Sequence, residues 1–194
     1  MATTFDNPGK TVIKPSKLAH LVLRTNNMQK LSNFYRTFLS ATITFQNDFM
    51  ILLSYDSEHH RLGIIQIPNL SPKDTSTCGL EHIAFTFDSI TDLAMSYLQR
   101  KEHGIVPFWC INHGPTTSAY YKDPDGNIVE CQVENFVTVQ EAQEFMEGEE
   151  YAKNPLGVDF EMEELIERIR GGESEEELKR RPESGPRSID SVPS

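Results

Sequence analysis

The chain has 194 residues, of which 38% are hydrophobic, and a formal net charge of −11 at pH 7. Residues 141–194 carry 16 acidic and 7 basic side chains, a net charge of −9, so the remainder is nearly neutral and offers no basic face for nucleic acid. The longest apolar run, residues 49–53, has five residues, whereas a membrane-spanning helix needs about 20. The composition therefore predicts one folded domain with extra segments and argues against nucleic-acid and membrane partners.

Residues 1–17 are polar and predict a flexible N-terminal arm that lacks the apolar core of a signal peptide. The three cysteines, Cys78, Cys110 and Cys131, have no paired spacing. They indicate reduced thiols rather than a disulfide framework or a zinc ribbon. We therefore expect a cytoplasmic protein.

Residues 18–68 read as a first β-α-β-β-β unit. The segment 18–25 alternates like a half-buried strand, with His20, Val22 and Arg24 on one face. Asn26 or Asn27 is placed to cap a helix with an apolar stripe, and strand-like runs follow at 42–45, 49–55 and 61–68.

Residues 80–134 repeat this plan after a polar link. They contain a strand at 80–87, a helix that begins at Ser89 with Asp92 three residues on, and strands near 105–111, 117–122 and 127–133. Internal duplication of this kind is the main organising feature of the chain. It predicts an α+β fold in which two repeated βαβββ modules form an open, barrel-like half-shell around a metal, followed by a C-terminal helical tail.

The C-terminal part has a different composition. Thr138 and Glu141 have the spacing of a capping box and predict a short helix. A second helix is predicted from about 161 to 170, so residues 137–172 form a helical extension. Residues 173–194 are charged and contain proline and serine, which predicts a partly disordered tail.

His20 and His82 occupy the equivalent position of the first strand in the two modules, in LAHLVLRT and LEHIAFTF. A single strand histidine is usually structural, but equivalent positions of two paired modules converge on one centre. Glu130 lies inside a later strand, where a buried carboxylate must be paired or bind a metal. Two histidines and one carboxylate suit non-haem Fe(II) with open coordination positions, with Mn, Co, Ni or Zn as alternatives.

The repeat also predicts where a fourth ligand would lie. The counterpart of Glu130 in the first module falls near residues 66–68, and no carboxylate or histidine lies between Gly63 and Asn69. Three protein ligands, with positions left for water, substrate or O2, therefore fit best.

His60, His113 and Tyr120 are candidate acid–base groups near this site. A type I turn over Asp-Pro-Asp-Gly with a left-handed glycine would place Tyr120 opposite Glu130. Histidines and a phenol beside a metal with open coordination positions are groups that can act in general acid–base catalysis, although each could be structural on its own. Phe108, Trp109 and Tyr120 are also consistent with an aromatic pocket, but strand aromatics are more often part of a core.

These residues resemble the vicinal-oxygen-chelate superfamily, which includes glyoxalase, fosfomycin-resistance proteins, bleomycin-resistance proteins and extradiol dioxygenases. The resemblance covers residues 18–136, and His20, His82 and Glu130 match its metal positions. The type I extradiol ring-cleavage dioxygenases are closest, through HHRLGII at 59–65, HGPTTSAY at 113–120 and DPDGNIVE at 123–130. The resemblance implies that His60 is the acid–base residue near O2 and that His113 and Tyr120 contact the substrate oxygens. Unlike many members, this chain carries one pair of modules.

The first hypothesis is thus an Fe(II) extradiol dioxygenase whose partners are a small aromatic diol and O2. A non-redox isomerase, lyase or transferase with the same triad is the alternative, and a ligand-sequestering binding protein is a third reading. Exposed strand edges favour a homodimer or a higher homo-oligomer. The acidic C-terminal extension lies outside the family pattern and is expected near the open side of the site or at a subunit contact.

Overall fold

A computed structural model describes residues 4–193 of the chain, so the first three residues of the predicted arm and the last residue of the predicted tail lie outside the described residues. The first module contains β1 (Leu21–Thr25), α1 (Met28–Phe38), β2 (Thr42–Gln46), β3 (Met50–Ser54) and β4 (Leu62–Gln66). The second contains β5 (His82–Thr86), α2 (Ile90–Lys101), β6 (Trp109–Asn112), β7 (Thr116–Lys122) and β8 (Ile128–Glu134). The C-terminal part contains α3 (Val139–Glu147), α4 (Glu149–Lys153), β9 (Val158–Asp159), α5 (Met162–Arg170), α6 (Glu175–Lys179) and a 3₁₀ turn at Ile189–Ser191.

The two modules form two open sheets in which the four strands of each module have the same arrangement, as the internal repeat predicts, and β9 adds a fifth strand to the second sheet. The first sheet has the order β1-β4-β3-β2, and the second has the order β5-β8-β7-β6-β9. In each module the first strand pairs in parallel with the fourth, with Leu21 opposite Leu62 in one and His82 opposite Ile128 in the other. The prediction of an α+β fold with two βαβββ modules and a helical tail is confirmed.

Predicted helix caps account for where three helices begin. The Asn27 side chain accepts the Lys30 N–H at the start of α1, and the Ser89 hydroxyl accepts the Asp92 N–H at the start of α2. Thr138 forms a complete capping box at the start of α3, with reciprocal side-chain to backbone hydrogen bonds. Each cap satisfies an N–H group that the helix itself leaves unpaired.

Strand β6 begins four residues later than the sequence predicts. The Ile105 N–H donates to the Arg100 carbonyl at 3.0 Å, which closes the end of α2 through Gly104 at a φ of +71°. Pro107 then lacks an N–H for a sheet ladder. Regular pairing with β7 consequently starts at Trp109, opposite Tyr120.

Helix α1 joins the two modules. The Tyr35 hydroxyl donates to Asp123 Oδ2 at 3.0 Å, and both side chains are buried. At the other end of the helix, the Arg100 guanidinium donates from Nε and Nη2 to the Phe38 carbonyl at 2.9 and 2.8 Å. Phe38 also packs edge-on against Tyr121, with ring centroids 5.0 Å apart. One hydrophobic core therefore spans both modules.

The C-terminal extension packs against the second module. Strand β9 pairs with β6, and α5 buries Met162, Leu165 and Ile166. The buried Arg181 donates to the Asn154 carbonyl at 2.8 Å and the His113 carbonyl at 3.2 Å. Within residues 4–193, no helix is long and apolar enough to cross a membrane.

Candidate active site

Strand β8 separates the core of the second module from its open face. Val129, Cys131 and Val133 alternate with Glu130 and Gln132 and are almost completely buried in the core. Because side chains of a strand alternate between faces, Glu130 points to the opposite, open face. The β7–β8 register places Tyr120 directly opposite Glu130 on that face.

The hairpin turn that sets this register has the predicted form. The Gly126 N–H donates to the Asp123 carbonyl at 3.0 Å, and the Asp123 N–H donates to the Asn127 carbonyl at 2.9 Å. Gly126 has a φ of +83°, the left-handed conformation that glycine adopts without strain. The turn thus fixes which β7 residue faces Glu130.

Glu130 lies beside His82, with Oε2 3.1 Å from His82 Nε2. Its side chain is only 5% exposed, and no Lys or Arg of the described chain forms an ion pair with it. A buried carboxylate facing an imidazole needs a positive charge nearby to offset the cost of burial. An imidazole nitrogen and a carboxylate oxygen are also first-row metal ligands, so these two donors fit a divalent metal ion.

His113 and Tyr120 form a second contact on the same face, with His113 Nε2 3.0 Å from the Tyr120 hydroxyl. His113 Nδ1 is hydrogen-bonded to the Leu156 carbonyl, which can only accept, so Nδ1 carries the proton. Burial lowers the pKa of His113, although the Leu156 carbonyl acts in the other direction. In the neutral imidazole, Nε2 is therefore an acceptor for the Tyr120 O–H.

Tyr120 itself stays protonated at neutral pH. Burial raises its pKa, and the neighbouring Glu130 carboxylate raises it further. The phenol therefore has a proton to donate to His113 Nε2, and the Glu130 carboxylate lies opposite it across the β7–β8 pair. Such a group can hold a proton at a fixed position above the site.

His20 and His60 lie together at the start of the first sheet. The Leu21 N–H donates to the Arg61 carbonyl at 3.1 Å, which aligns the segments that precede β1 and β4. The His20 and His60 ring centroids are 4.4 Å apart, and His60 Nδ1 is 2.6 Å from His59 Nδ1. Partial burial and the neighbouring His20 and His59 lower the pKa of His60.

The structure thus assembles the six predicted site residues in two groups. His82, Glu130, Tyr120 and His113 form one group, and His20 and His60 form the other. Among residues 4–193, no cluster of three or more His, Cys, Asp or Glu side chains has the spacing of a metal site. The predicted triad of His20, His82 and Glu130 therefore remains a prediction.

Trp109, Asp159 and Arg187 also belong to this face, and sequence reasoning did not connect them. The Trp109 ring stacks on Tyr120 with centroids 4.8 Å apart and planes at 24°. The indole N–H donates to Asp159 Oδ1 at 2.8 Å, and Arg187 forms an ion pair with Asp159. The aromatic residues near 108–120 were a signal for Trp109, but no local pattern links it to residues 50 and 78 positions later.

A cavity of about 560 Å³ lies elsewhere, at the C-terminal ends of α1 and α2, and contains none of the six predicted site residues. Its lining includes Arg100, which is already bonded to the Phe38 carbonyl. The candidate site residues of the second module instead lie on the sheet face opposite the core, where His82 is partly exposed and Glu130 and Tyr120 are nearly buried.

Comparisons with known proteins agree with this architecture. The family model described as the glyoxalase/bleomycin resistance protein/dioxygenase superfamily matches residues 17–131. Two proteins of Rhodococcus globerulus are similar to the chain. Biphenyl-2,3-diol 1,2-dioxygenase 3 is 41% identical over 85% of this chain and 88% of its own length, and biphenyl-2,3-diol 1,2-dioxygenase 2 is 42% identical over 75% and 77%.

A solved glyoxylase/bleomycin resistance protein/dioxygenase domain from Frankia sp. EAN1pec shares the fold. Its TM-score is 0.53 at 15% identity, and the match covers 62% of this chain and 99% of that domain. The family match at residues 17–131 covers both βαβββ modules except the last three residues of β8. The chain belongs to the glyoxalase/bleomycin resistance protein/dioxygenase superfamily.

Proposed function

We propose that this protein is an extradiol dioxygenase, which opens the ring of a catechol-type aromatic with O2 at a bond beside the two hydroxyl groups. The observation that carries the proposal is the identity of 41–42% to two biphenyl-2,3-diol 1,2-dioxygenases over most of the chain. The substrate class follows from those relatives. An aromatic diol with a second ring is therefore the first substrate to test.

We assign the metal to His20, His82 and Glu130, with Fe(II) as the expected ion. The buried Glu130 carboxylate beside His82 supports the assignment, as does the equivalent placement of His20 before β1 and His82 at the start of β5. When bound, such an ion supplies a Lewis acid with open positions for the diol oxygens and O2. Mn, Co, Ni or Zn are the alternative ions.

Three side chains, Tyr120, His113 and His60, are assigned to donate protons to the diol and O2 or to accept protons from them. Without substrate, the Tyr120 hydroxyl donates its hydrogen bond to His113 Nε2. With substrate bound, the same hydroxyl can donate to a diol oxygen instead. Neutral His113 is held in one tautomer by the Leu156 carbonyl, so its Nε2 is ready to accept a proton. His60, whose lowered pKa also favours the neutral imidazole, is assigned as the acid–base group on the O2 side.

We further place the protein in the cytoplasm and expect a homodimer or a higher homo-oligomer. Strand β2 is an edge of the first sheet and is exposed along its whole length, including Phe45 at 45%. Exposed edge strands offer unpaired backbone groups to a second copy.

Anaerobic metal analysis of the purified protein, followed by chelation and reloading, tests the proposal. We expect iron near one ion per chain, loss of activity on chelation, and recovery with Fe(II). Addition of 2,3-dihydroxybiphenyl or catechol with O2 should then give a yellow ring-cleavage product. A different bound metal, together with no O2 uptake on any diol, would instead favour a non-redox enzyme of the same superfamily. A metal-free protein that only binds the diol would identify a sequestering protein.

A further inference from the structure

The single tryptophan of the chain, Trp109, is held by the C-terminal extension. Its indole N–H donates to Asp159 Oδ1 at 2.8 Å. The Arg187 guanidinium donates to the two oxygens of the same carboxylate at 2.6 and 2.9 Å, a bidentate pair. The Arg187 side chain is 16% exposed and the Asp159 side chain is 53% exposed, so the pair lies at the surface and its strength comes from the bidentate geometry.

The sheet register explains why these three side chains meet. Strand β9 pairs with β6 so that Asp159 lies opposite Ile111. Trp109 precedes Ile111 by two residues and therefore shares its face, which makes Asp159 and Trp109 diagonal neighbours. Arg187 also donates to the Gly157 carbonyl at 3.3 Å, which is a second contact between the C-terminal segment and this sheet edge. Within its own segment, Arg187 Nε donates to Ser191 Oγ at 2.8 Å.

The position of Trp109 relative to the diol site follows from the same register. Glu130, Tyr120 and Trp109 lie in one row across β8, β7 and β6. At the usual spacing between neighbouring strands, Trp109 is two strands, or about 10 Å, from Glu130. Its ring stacks on Tyr120, so an aromatic surface continues outward from the place where the diol oxygens would bind.

We propose that Asp159 and Arg187 position the Trp109 ring so that it contacts the second ring of the diol. These three residues, called the clamp, give the site its preference for two-ring diols over catechol. The inference rests on the proposed function for the identity of the substrate. An indole wall favours a second aromatic ring because stacked or edge-on aromatic pairs add favourable energy beyond burial.

The positioning role is tested by fluorescence, since Trp109 is the only tryptophan. Arg187→Gln removes the bidentate pair, and Asp159→Asn keeps an acceptor for the indole N–H while removing its charge. The matched control is Arg170→Gln, which removes an exposed ion pair with Glu167 in α5. We expect a red-shifted emission maximum and greater acrylamide quenching in Arg187→Gln, a smaller effect in Asp159→Asn, and wild-type values in the control.

The specificity role is tested by steady-state kinetics on 2,3-dihydroxybiphenyl and catechol. Arg187→Gln and Trp109→Leu should lower the ratio of the two kcat/KM values by about 3- to 10-fold, the size of one lost aromatic contact. Most of the change should appear in KM for the two-ring diol, because the wall contacts the substrate before and during the reaction alike. Trp109→Phe should retain most of the preference.

The outcomes separate this inference from the proposed function. An unchanged ratio in Arg187→Gln and Trp109→Leu would overturn the specificity role, and unchanged fluorescence in Arg187→Gln would overturn the positioning role. If wild-type protein opens neither diol, the proposed function fails. Anaerobic titration of Trp109 fluorescence with 2,3-dihydroxybiphenyl still tests whether the clamp holds Trp109 against a bound two-ring diol. Saturable quenching that weakens in Arg187→Gln would support it, and quenching that is absent or equal in both proteins would refute it.

Discussion

Glu130 is a buried carboxylate with no Lys or Arg ion pair among the described residues. Its neighbours in the open face are His82 and Tyr120, and the phenol stays protonated beside it. Neither neighbour is a permanent cation, so the buried carboxylate is poorly balanced in the metal-free protein. A metal ion held by Glu130 and His82 would supply the missing charge.

The replacement of Glu130 by glutamine tests this balance. In the metal-free protein, Glu130→Gln should leave the free energy of unfolding unchanged or raise it by up to about 2 kcal/mol, because an uncompensated charge is removed without a change of shape. Metal affinity and turnover should both fall, by more than the roughly 10- to 100-fold that loss of an outer-shell partner causes. Urea melts and metal titrations provide the two readouts.

Glu134→Gln is the matched control, because Glu134 lies on the same strand and face but is exposed. It should change neither quantity. A clear loss of stability in metal-free Glu130→Gln, with Glu134→Gln unchanged, would contradict the proposed imbalance.

At the level of elements, the β7–β8 hairpin determines where Tyr120 and Glu130 stand. The Asp123 side chain accepts N–H groups of Asp125 and Asn127 at 2.9 and 2.8 Å, which stabilises the turn locally. The sequence Asp-Pro-Asp-Gly was enough to predict this turn and the resulting register. The Tyr35 hydroxyl that donates to the same carboxylate from α1 was not predictable, because residues 88 positions apart show no shared local pattern.

Tyr35→Phe should destabilise the protein in a pH-dependent way. Near neutral pH the variant loses one buried hydrogen bond to a charged group, at a cost of about 1–3 kcal/mol. Burial, and next the Asp123 charge, raise the Tyr35 pKa in the folded protein above its ordinary value near 10. Above pH 10 the unfolded chain releases this proton and the folded protein keeps it, so the contribution of Tyr35 to stability falls by about 1.4 kcal/mol per pH unit.

The wild-type advantage over Tyr35→Phe should therefore be full at pH 8 and shrink or reverse at pH 11. Urea unfolding of both proteins at these two pH values measures it. A constant difference between the two proteins across this range would show that the Tyr35 phenol is not held in its protonated form by the fold.

At the scale of the whole molecule, the internal duplication made the fold predictable from the sequence. The candidate site was only partly predictable, because it depends on contacts between residues that are far apart in the chain. The repeated hydrophobic pattern of residues 18–68 and 80–134 predicted the order of helices and strands along the chain, because that order depends on local periodicity. The docking of the C-terminal extension depends on pairs such as Asp159 with Arg187, which no pattern of spacing predicts. The same holds for the grouping of His20 with His60, since ligand convergence depends on how the two sheets meet.

The most direct test of the account is a single turnover assay with isotopically labelled O2 and 2,3-dihydroxybiphenyl, using protein reloaded anaerobically with Fe(II). Mass spectrometry of the product should show a ring-opened compound that contains both atoms of one O2 molecule, formed only when O2 is present. Consumption of the diol without O2, or a product that carries no labelled oxygen, would contradict the assignment of this protein as an extradiol dioxygenase.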